Sequence, residues 1–363
     1  MDNNTSTGKG RIAMAIVALV VCVIAVSASA VTVLTSEEQG QTTFSLRQCT
    51  ASGLYYLDMT GDDHFAEYKD VGSSDMASFR QFLQDKVTCG EKPRGPIFGN
   101  CSVFMTEDSV DGGYLVGRNF DYNYPNTCVV FNSGEGIYSS VSTVDLAMFC
   151  DVDESFMNMT QDTRLNAVTY LPLDGINEKG VFIAINSVNN GKAFQQTREG
   201  HVGMFVTTAL RLALDYADSA EKAVELISDL NLFSPKDFHI FTCDNSGKGY
   251  TIEVVGDTTY VTETDLLTNH YLTPAGADTP VSESSRFRFG TLQAAMDENP
   301  TMDKTQVRDA LASVKQENPD KVHYTRWSVV YDLEDLTATI FLRKNGEMNY
   351  EHGDSYDIHD VTC

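Results

Sequence analysis

The hydrophobic rhythm of the chain changes several times along its length. Ile12 to Leu34 is an uncharged apolar run preceded by Lys9 and Arg11. Such a run is long enough to cross a bilayer. Ala28-Ser29-Ala30 within it fits a small-residue signal-peptidase site. Either reading sends the rest of the chain outward, with the basic flank inside. Continuation through Val31-Thr32-Val33-Leu34 tips the expectation toward a retained anchor. Helical spacing appears next, with Met76, Phe79, Phe82 and Leu83 on one face after a start near Ser74. Cys89 to Asn100 then holds two prolines and three glycines, which argue against regular structure and mark the sharpest boundary in the chain.

Beyond that boundary the pattern turns to strands. Ser102 to Thr106 and Gly113 to Phe120 flank Asp111-Gly112, a strong hairpin signal. Cys128 to Asn132 and Val181 to Ser187 read as further strands. Met204 to Leu230 carries two amphipathic helices split near Asp215–Asp218. Phe238 to Cys243, Tyr250 to Val255 and Thr258 to Thr262 form a meander. Helices are predicted at Arg286–Met296 and Asp303–Val314, then a closing hairpin of Trp327–Tyr331 and Ala338–Leu342. Strands in runs, then helices, then strands predict a layered α+β fold rather than a parallel sheet. The expected organisation is an inner tail at 1–11, an anchor or signal segment at 12–34, a prosegment at 35–100 and a main domain at 101–363.

Charge and cysteine content narrow the function. The chain has 51 acidic against 26 basic residues, a formal net charge of −25, and no useful Lys/Arg cluster. That disfavours nucleic acid and anionic membrane surfaces as partners. No cofactor is implied. His352 and His359 lie in an acidic tail without tight ligand spacing, so a metal site is not expected. Of eight cysteines, Cys22 lies in the apolar run and seven lie outside it. Outside the cell an odd number calls for an explanation. If Cys101 is a working thiol, six remain; the pairing guessed from spacing is Cys49–Cys89, Cys128–Cys150 and Cys243–Cys363.

Cys101 sits between the irregular segment and a strand. A cut at Asn100–Cys101 would give one residue a thiol and an α-amine, with reference pKa values of about 8.5 and 7.7–8.0. The amine could then take the thiol's proton without a histidine. Spacing alone favours an ordinary half-cystine. Gly117-Arg118-Asn119-Phe120-Asp121 follows, placing a guanidinium and a carboxylate at the next strand's end, within reach of Cys101. By itself that pair would be a surface ion pair of little energetic weight.

Cys101 followed by this Gly-Arg-Asn-Phe-Asp motif resembles the choloylglycine hydrolase and linear-amide C–N hydrolase family. Further matches come in the family's order: Asp174-Gly175-Ile176-Asn177-Glu178-Lys179-Gly180, Thr268-Asn269 before Tyr271-Leu272-Thr273-Pro274, Ser285-Arg286-Phe287, and Thr325-Arg326-Trp327-Ser328-Val329-Val330-Tyr331-Asp332. The resemblance implies a four-layer αββα N-terminal-nucleophile hydrolase sandwich over 101–363. It implies Cys101 as nucleophile, Arg118 and Asp121 placing its thiol and amine, Asn269 as oxyanion donor, and Arg286 supporting the nucleophile or the anion. Asn186 is carried as a pocket residue, because Ser187 stands where the family's second oxyanion donor would be. The long prosegment departs from the small family members and resembles penicillin acyltransferases and acid ceramidases of the same class.

The implied substrate is a small linear amide, and the implied location is outward-facing, either anchored or secreted. Oligomeric state stays open. A papain-like Cys–His protease lacks its local signature here. A membrane-tethered binding module on the same scaffold, left uncut, is the alternative to an enzyme.

Overall fold

The computed structural model describes residues 31–34, 43–49, 54–61, 63–95, 99–122, 126–151, 156–188, 192–317, 324–344 and 346–357. Residues 12–30 of the apolar run, Cys22, His359 and Cys363 lie outside them. Among the described residues no helix is long and apolar enough to cross a membrane.

Two sheets form the middle of the molecule. The larger has ten strands whose spatial order follows the sequence: Val31–Leu34, Thr43–Gln48, Tyr55–Thr60, Thr127–Ser133, Ser140–Asp145, Asp174–Asn177, Phe182–Ser187, Phe238–Cys243, Gly249–Val255 and Thr258–Glu263. The smaller has eight and is built around Asn100–Asp108, Tyr114–Tyr122, Tyr324–Asp332 and Thr337–Lys344, all antiparallel neighbours. The sheets meet face to face, with the Phe182 and Tyr331 rings 4.9 Å apart across the seam. Helices Val206–Tyr216 and Ala220–Ser228 cover the larger sheet, and Glu283–Glu298 and Lys304–Ser313 cover the smaller. The layers are therefore helix, sheet, sheet, helix. Strands buried on both faces read as continuous apolar runs, as Phe182–Ser187 and Phe238–Cys243 do.

The Asp-Gly-Ile-Asn-Glu-Lys-Gly segment has a local cause. It ends the strand Asp174–Asn177 in a tight turn, and Asn177 Oδ1 accepts the N–H groups of Lys179 and Val181 at 3.0 and 3.1 Å. Gly180 closes the turn at φ 75, where a side chain would be strained.

Two expectations need correction. The segment before Cys101, set apart from the main domain as a prosegment at 35–100, is built into the main fold. Tyr55–Thr60 runs parallel to Thr127–Ser133, and Leu46, Leu57, Phe65, Tyr68 and Phe79 join the same core as Phe205 and Tyr170. So few apolar side chains could not exclude water alone. Val31–Leu34, the end of the apolar run, pairs with Thr43–Leu46 as the sheet's edge.

The guessed disulfides Cys49–Cys89 and Cys128–Cys150 do not form either: none of the six described cysteines is in a disulfide, and the Cys363 half of the third guess lies outside the described residues. Cys128 and Cys150 are neighbours deep in the core, but each thiol donates to a nearby carbonyl, of Val129 at 3.6 Å and of Leu146 at 3.4 Å. Buried thiols behave here as small apolar side chains.

Candidate active site

The site begins with strand register. Asn100–Asp108 pairs antiparallel with Tyr114–Tyr122, setting Cys101 opposite Phe120 and Asn100 opposite Asp121. Gly99 is needed just before, because a Cβ there would lie 2.8 Å from the Asp121 carbonyl oxygen. Cys101 is thereby fixed at the seam, almost fully buried.

From Tyr114–Tyr122, the Arg118 guanidinium crosses to the larger sheet. Its Nε donates to Asp174 Oδ2 at 3.0 Å and its Nη2 to the Ile185 carbonyl at 2.7 Å, while Nη1 donates to Asn186 Oδ1. Asp174 is held in turn by Thr143 and by the Tyr331 hydroxyl at 2.6 Å. Asp121, at the same strand's end, accepts from Thr325 Oγ1 at 2.6 Å and Gln316 Nε2 at 2.7 Å. Its own N–H donates to the Cys101 thiol. The expectation that the Asp121 carboxylate holds the nitrogen of Cys101 is therefore replaced: that nitrogen donates to Asn269 Oδ1 at 3.0 Å.

Asn269 has a forced orientation. Its Oδ1 also accepts from Arg288 Nη2 at 2.6 Å, and its Nδ2 donates to the Ser187 carbonyl at 2.6 Å. Two donors on one side and a carbonyl on the other leave only one assignment of the amide.

The position of Thr268–Asn269 is set by a buried pair behind it. His239 Nε2 lies 2.9 Å from the Thr268 carbonyl, and its Nδ1 lies 3.0 Å from Glu253 Oε1. Glu253 also accepts the N–H groups of Leu272 and Thr273 at 2.9 and 2.7 Å. Both neighbours of the ring are acceptor oxygens. The pair ties two adjacent strands to the 268–273 segment.

Two sequence-derived residues are placed differently from expectation. Arg286 is exposed. The helix starts earlier than its predicted beginning at Arg286: Ser282 is the N-cap and Glu283 the first residue. With 3.6 residues per turn, Ser285 and Arg288 share the buried face, and Arg286 and Phe287 turn outward. Arg288 is the arginine at the site. It donates from Nη1 to the Cys101 carbonyl at 2.7 Å and to Ser102 Oγ at 2.8 Å. Asn186 is the second. It is fully buried and its amide is used up by Arg118 on one side and by the Leu267 and Thr268 carbonyls on the other. It braces Arg118 and offers no donor to a pocket. The structure thus gathers Cys101, Arg118, Asp121, Asn186 and Asn269, and leaves Arg286 out. Arg288, Asp174, Gln316, Thr325, His239 and Glu253 were not picked out as site residues from sequence.

The electrostatics follow from this packing. Burial pushes the Cys101 thiol above its ordinary range, against the pull of the Arg118 charge, and the Asp121 carboxylate adds to the rise. Burial also raises the Asp121 carboxyl, opposed mainly by Arg288. The thiol is therefore protonated at rest, and a base beside it is needed to make it a nucleophile. Among the described residues no cluster of three or more His, Cys, Asp or Glu side chains could hold a metal ion.

Comparison with known proteins gives the family and the fold. The profile of the acyl-coenzyme A:6-aminopenicillanic acid acyl-transferase family matches residues 109–347. The chain belongs to this family. The match covers Arg118, Asp121, Asn269 and Arg288 and begins after Cys101. A variant of conjugated bile acid hydrolase from Clostridium perfringens superposes with TM-score 0.53 at 16% identity, covering 72% of this chain and 93% of that one. A second variant of the same enzyme gives TM-score 0.54, also at 16% identity, over 72% and 94%. The fold expected from the motifs, a mixed α/β sandwich like that of N-terminal-nucleophile hydrolases, is the fold this family member has. A search of curated proteins finds no match.

Proposed function

We propose that the chain is a cysteine amidase that cleaves linear amides, with Cys101 as nucleophile once the Asn100–Cys101 bond has been cut. The observation that carries this is the placement of both working atoms of Cys101. The thiol lies under the Arg118 and Arg288 charges, and the nitrogen 3.0 Å from Asn269 Oδ1. Once free, that nitrogen is an amine held beside a protonated thiol.

The steps follow from the atoms present. The α-amine takes the thiol proton, and the sulfur attacks the amide carbonyl carbon. Negative charge develops on the carbonyl oxygen. Asn269 Nδ2 has two hydrogens, one engaged by Ser187, and the other is available to that oxyanion. The α-ammonium returns its proton to the departing nitrogen as the C–N bond breaks, leaving a thioester. Water, deprotonated by the same amine, releases the acid. Arg288 holds the Cys101 carbonyl and keeps Asn269 aimed; Arg118 offsets thiolate charge.

In this reading the N-terminal segment stays with the rest after the cut, because its strands and aromatic side chains are part of the shared sheet and core. The chain is also read as exported. Cleavage after Ala30 would leave Val31, the first residue of the edge strand, at the new terminus.

The test is to trap the intermediate. A short exposure to an N-acyl amide, then acid quench and intact mass, should show the acyl group's mass on the 101–363 fragment. None should appear on Cys101→Ala. Turnover without any adduct at Cys101 would contradict the proposal.

A further inference from the structure

The backbone around Asn100–Cys101 is held on both sides by one chain of hydrogen bonds. Downstream, the Cys101 N–H donates to Asn269 Oδ1 at 3.0 Å, and the Cys101 carbonyl accepts from Arg288 Nη1 at 2.7 Å. Asn269 Nδ2 donates in turn to the Ser187 carbonyl at 2.6 Å. Upstream, the Ser187 hydroxyl donates to the Gly99 carbonyl. The contacts thus run from Cys101 through Asn269 and Ser187 to Gly99, and the ring closes through the single residue Asn100. Ser187 and Asn269, the two residues that complete it, are both buried.

Both anchor points of the ring are rigid. Ser187 ends a strand of the larger sheet, pairs with Phe238, and is followed by Val188, whose N–H donates to the Asp237 carbonyl at 3.0 Å. Gly99 is wedged: a Cβ there would lie 2.8 Å from the Asp121 carbonyl oxygen and 3.1 Å from the Phe120 ring. A hydroxyl four positions along the same strand pair behaves differently. Thr242, opposite Ile183, donates from Oγ1 to the Phe182 carbonyl at 2.9 Å, inside its own sheet. Ser187 instead reaches out of its sheet to the residue that leads into Asn100–Asp108 of the other.

We propose that Ser187 is a positioning residue for the cut at Asn100–Cys101, latching the uncut chain so that the Cys101 sulfur can attack the carbonyl just before it. This rests on the amidase reading, which requires that cut, and adds the residue that times it. In the first step the sulfur bonds to the Asn100 carbonyl carbon and the C–N bond breaks. The thiol proton ends on the departing nitrogen, leaving a thioester and a free α-amine. Water then bonds to the same carbon, the C–S bond breaks, and a proton returns to the sulfur. The products are a carboxylic acid at Asn100 and the thiol of Cys101. Attack within one residue needs the peptide plane held at one angle to the sulfur. Pinning the Gly99 carbonyl on one side and the Cys101 N–H on the other holds it there. After the cut Gly99 is no longer joined to Cys101, so the latch acts on the precursor.

The test follows newly made full chain by pulse-labelling, with fragments identified by intact mass. Ser187→Thr and Ser187→Val are equal in size and differ in the hydroxyl. The Thr variant should cut at the parental rate and the Val variant about tenfold more slowly, the worth of one hydrogen bond. Ser187→Ala should repeat the Val result without added bulk, and Thr242→Val, which loses a buried hydroxyl elsewhere in the sheet, should cut like the parent. Neutral hydroxylamine captures thioesters, which separates positioning from a general loss of stability. From the parent it should release an upstream fragment ending in a hydroxamate at Asn100, and from the Val variant about tenfold less. Equal cutting in the Thr and Val variants, or a Val variant restored to the parental rate by hydroxylamine, would overturn the role of Ser187 and leave the amidase reading standing. A parent chain that is never cut at this bond would refute both.

Discussion

Two buried arginines sit in similar surroundings and do different things. Arg118 spans the seam between the sheets and reaches Asp174, Asn186 and the Ile185 carbonyl. Arg211 bridges Asp63 at 2.7 Å and Asp215 at 2.6 Å, and its guanidinium lies 4.4 Å from the centre of the Phe65 ring. Both are buried and richly hydrogen-bonded. Asp63 belongs to the segment before Cys101 and Arg211 to the part after it, so the second cluster works as a clasp. The first has a thiol and a main-chain nitrogen at its edge. A buried arginine–carboxylate network is thus no sign of chemistry by itself; the proposed role of the first network rests on the thiol beside it.

The sharpest way to break this contrast is Cys101→Ala. Hydrolysis should fall to background in an amide-cleavage assay, and the thermal midpoint should stay near that of the parent. Arg211→Met should do the reverse. Leaving two buried carboxylates without their cation costs about 3–5 kcal/mol, read by denaturant unfolding, while kcat per folded molecule is unchanged. Asn269→Ala should raise the barrier by about 2.7–4 kcal/mol, a loss of 10²–10³ in kcat with the fold retained.

Another buried carboxylate sharpens the contrast from another side. Asp145 accepts from Ala147 N at 2.9 Å, but its Oδ2 has no hydrogen-bond partner among the described residues. Burial pushes its pKa up to about 6, against the Ala147 N–H and the Arg326 charge. A carboxyl whose folded value is raised favours the fold below its unfolded value of 3.8. That contribution is lost as pH rises through about 6, costing up to about 3 kcal/mol. Asp145→Asn should flatten the fall in stability between pH 4 and 7, measured by urea titration at each pH. The smallest effect belongs to Arg286→Ala, which should change stability and kcat by no more than about 0.5 kcal/mol, whereas Arg288→Met should cripple turnover.

Much of the site was legible because it lies on strands. Alternation and a hairpin turn place Cys101, Arg118 and Asp121 together, and short-range register needs no knowledge of distant elements. The helix was harder. Its start depends on Ser282 acting as the cap, and Arg286 was taken from the Ser-Arg-Phe resemblance, whereas the helix turns Ser285 and Arg288 to its buried face. Asn186 was misread because side-chain direction in a doubly buried strand is set by the facing sheet, which no local pattern reports. His239 and Glu253 were passed over because their pairing spans neighbouring strands, with Thr268 contributed from a third segment. The cysteines misled through parity: the count suggested bridges, while packing treats the described thiols in the core as small apolar groups.

The central claim is that a single residue both attacks and accepts the proton, which requires a free amine at position 101. End-group sequencing of catalytically competent material tests it most directly. The account predicts a chain beginning Cys101-Ser102-Val103, present in proportion to activity, with the upstream fragment co-purifying. Full activity in protein whose 100–101 peptide bond is intact would contradict it.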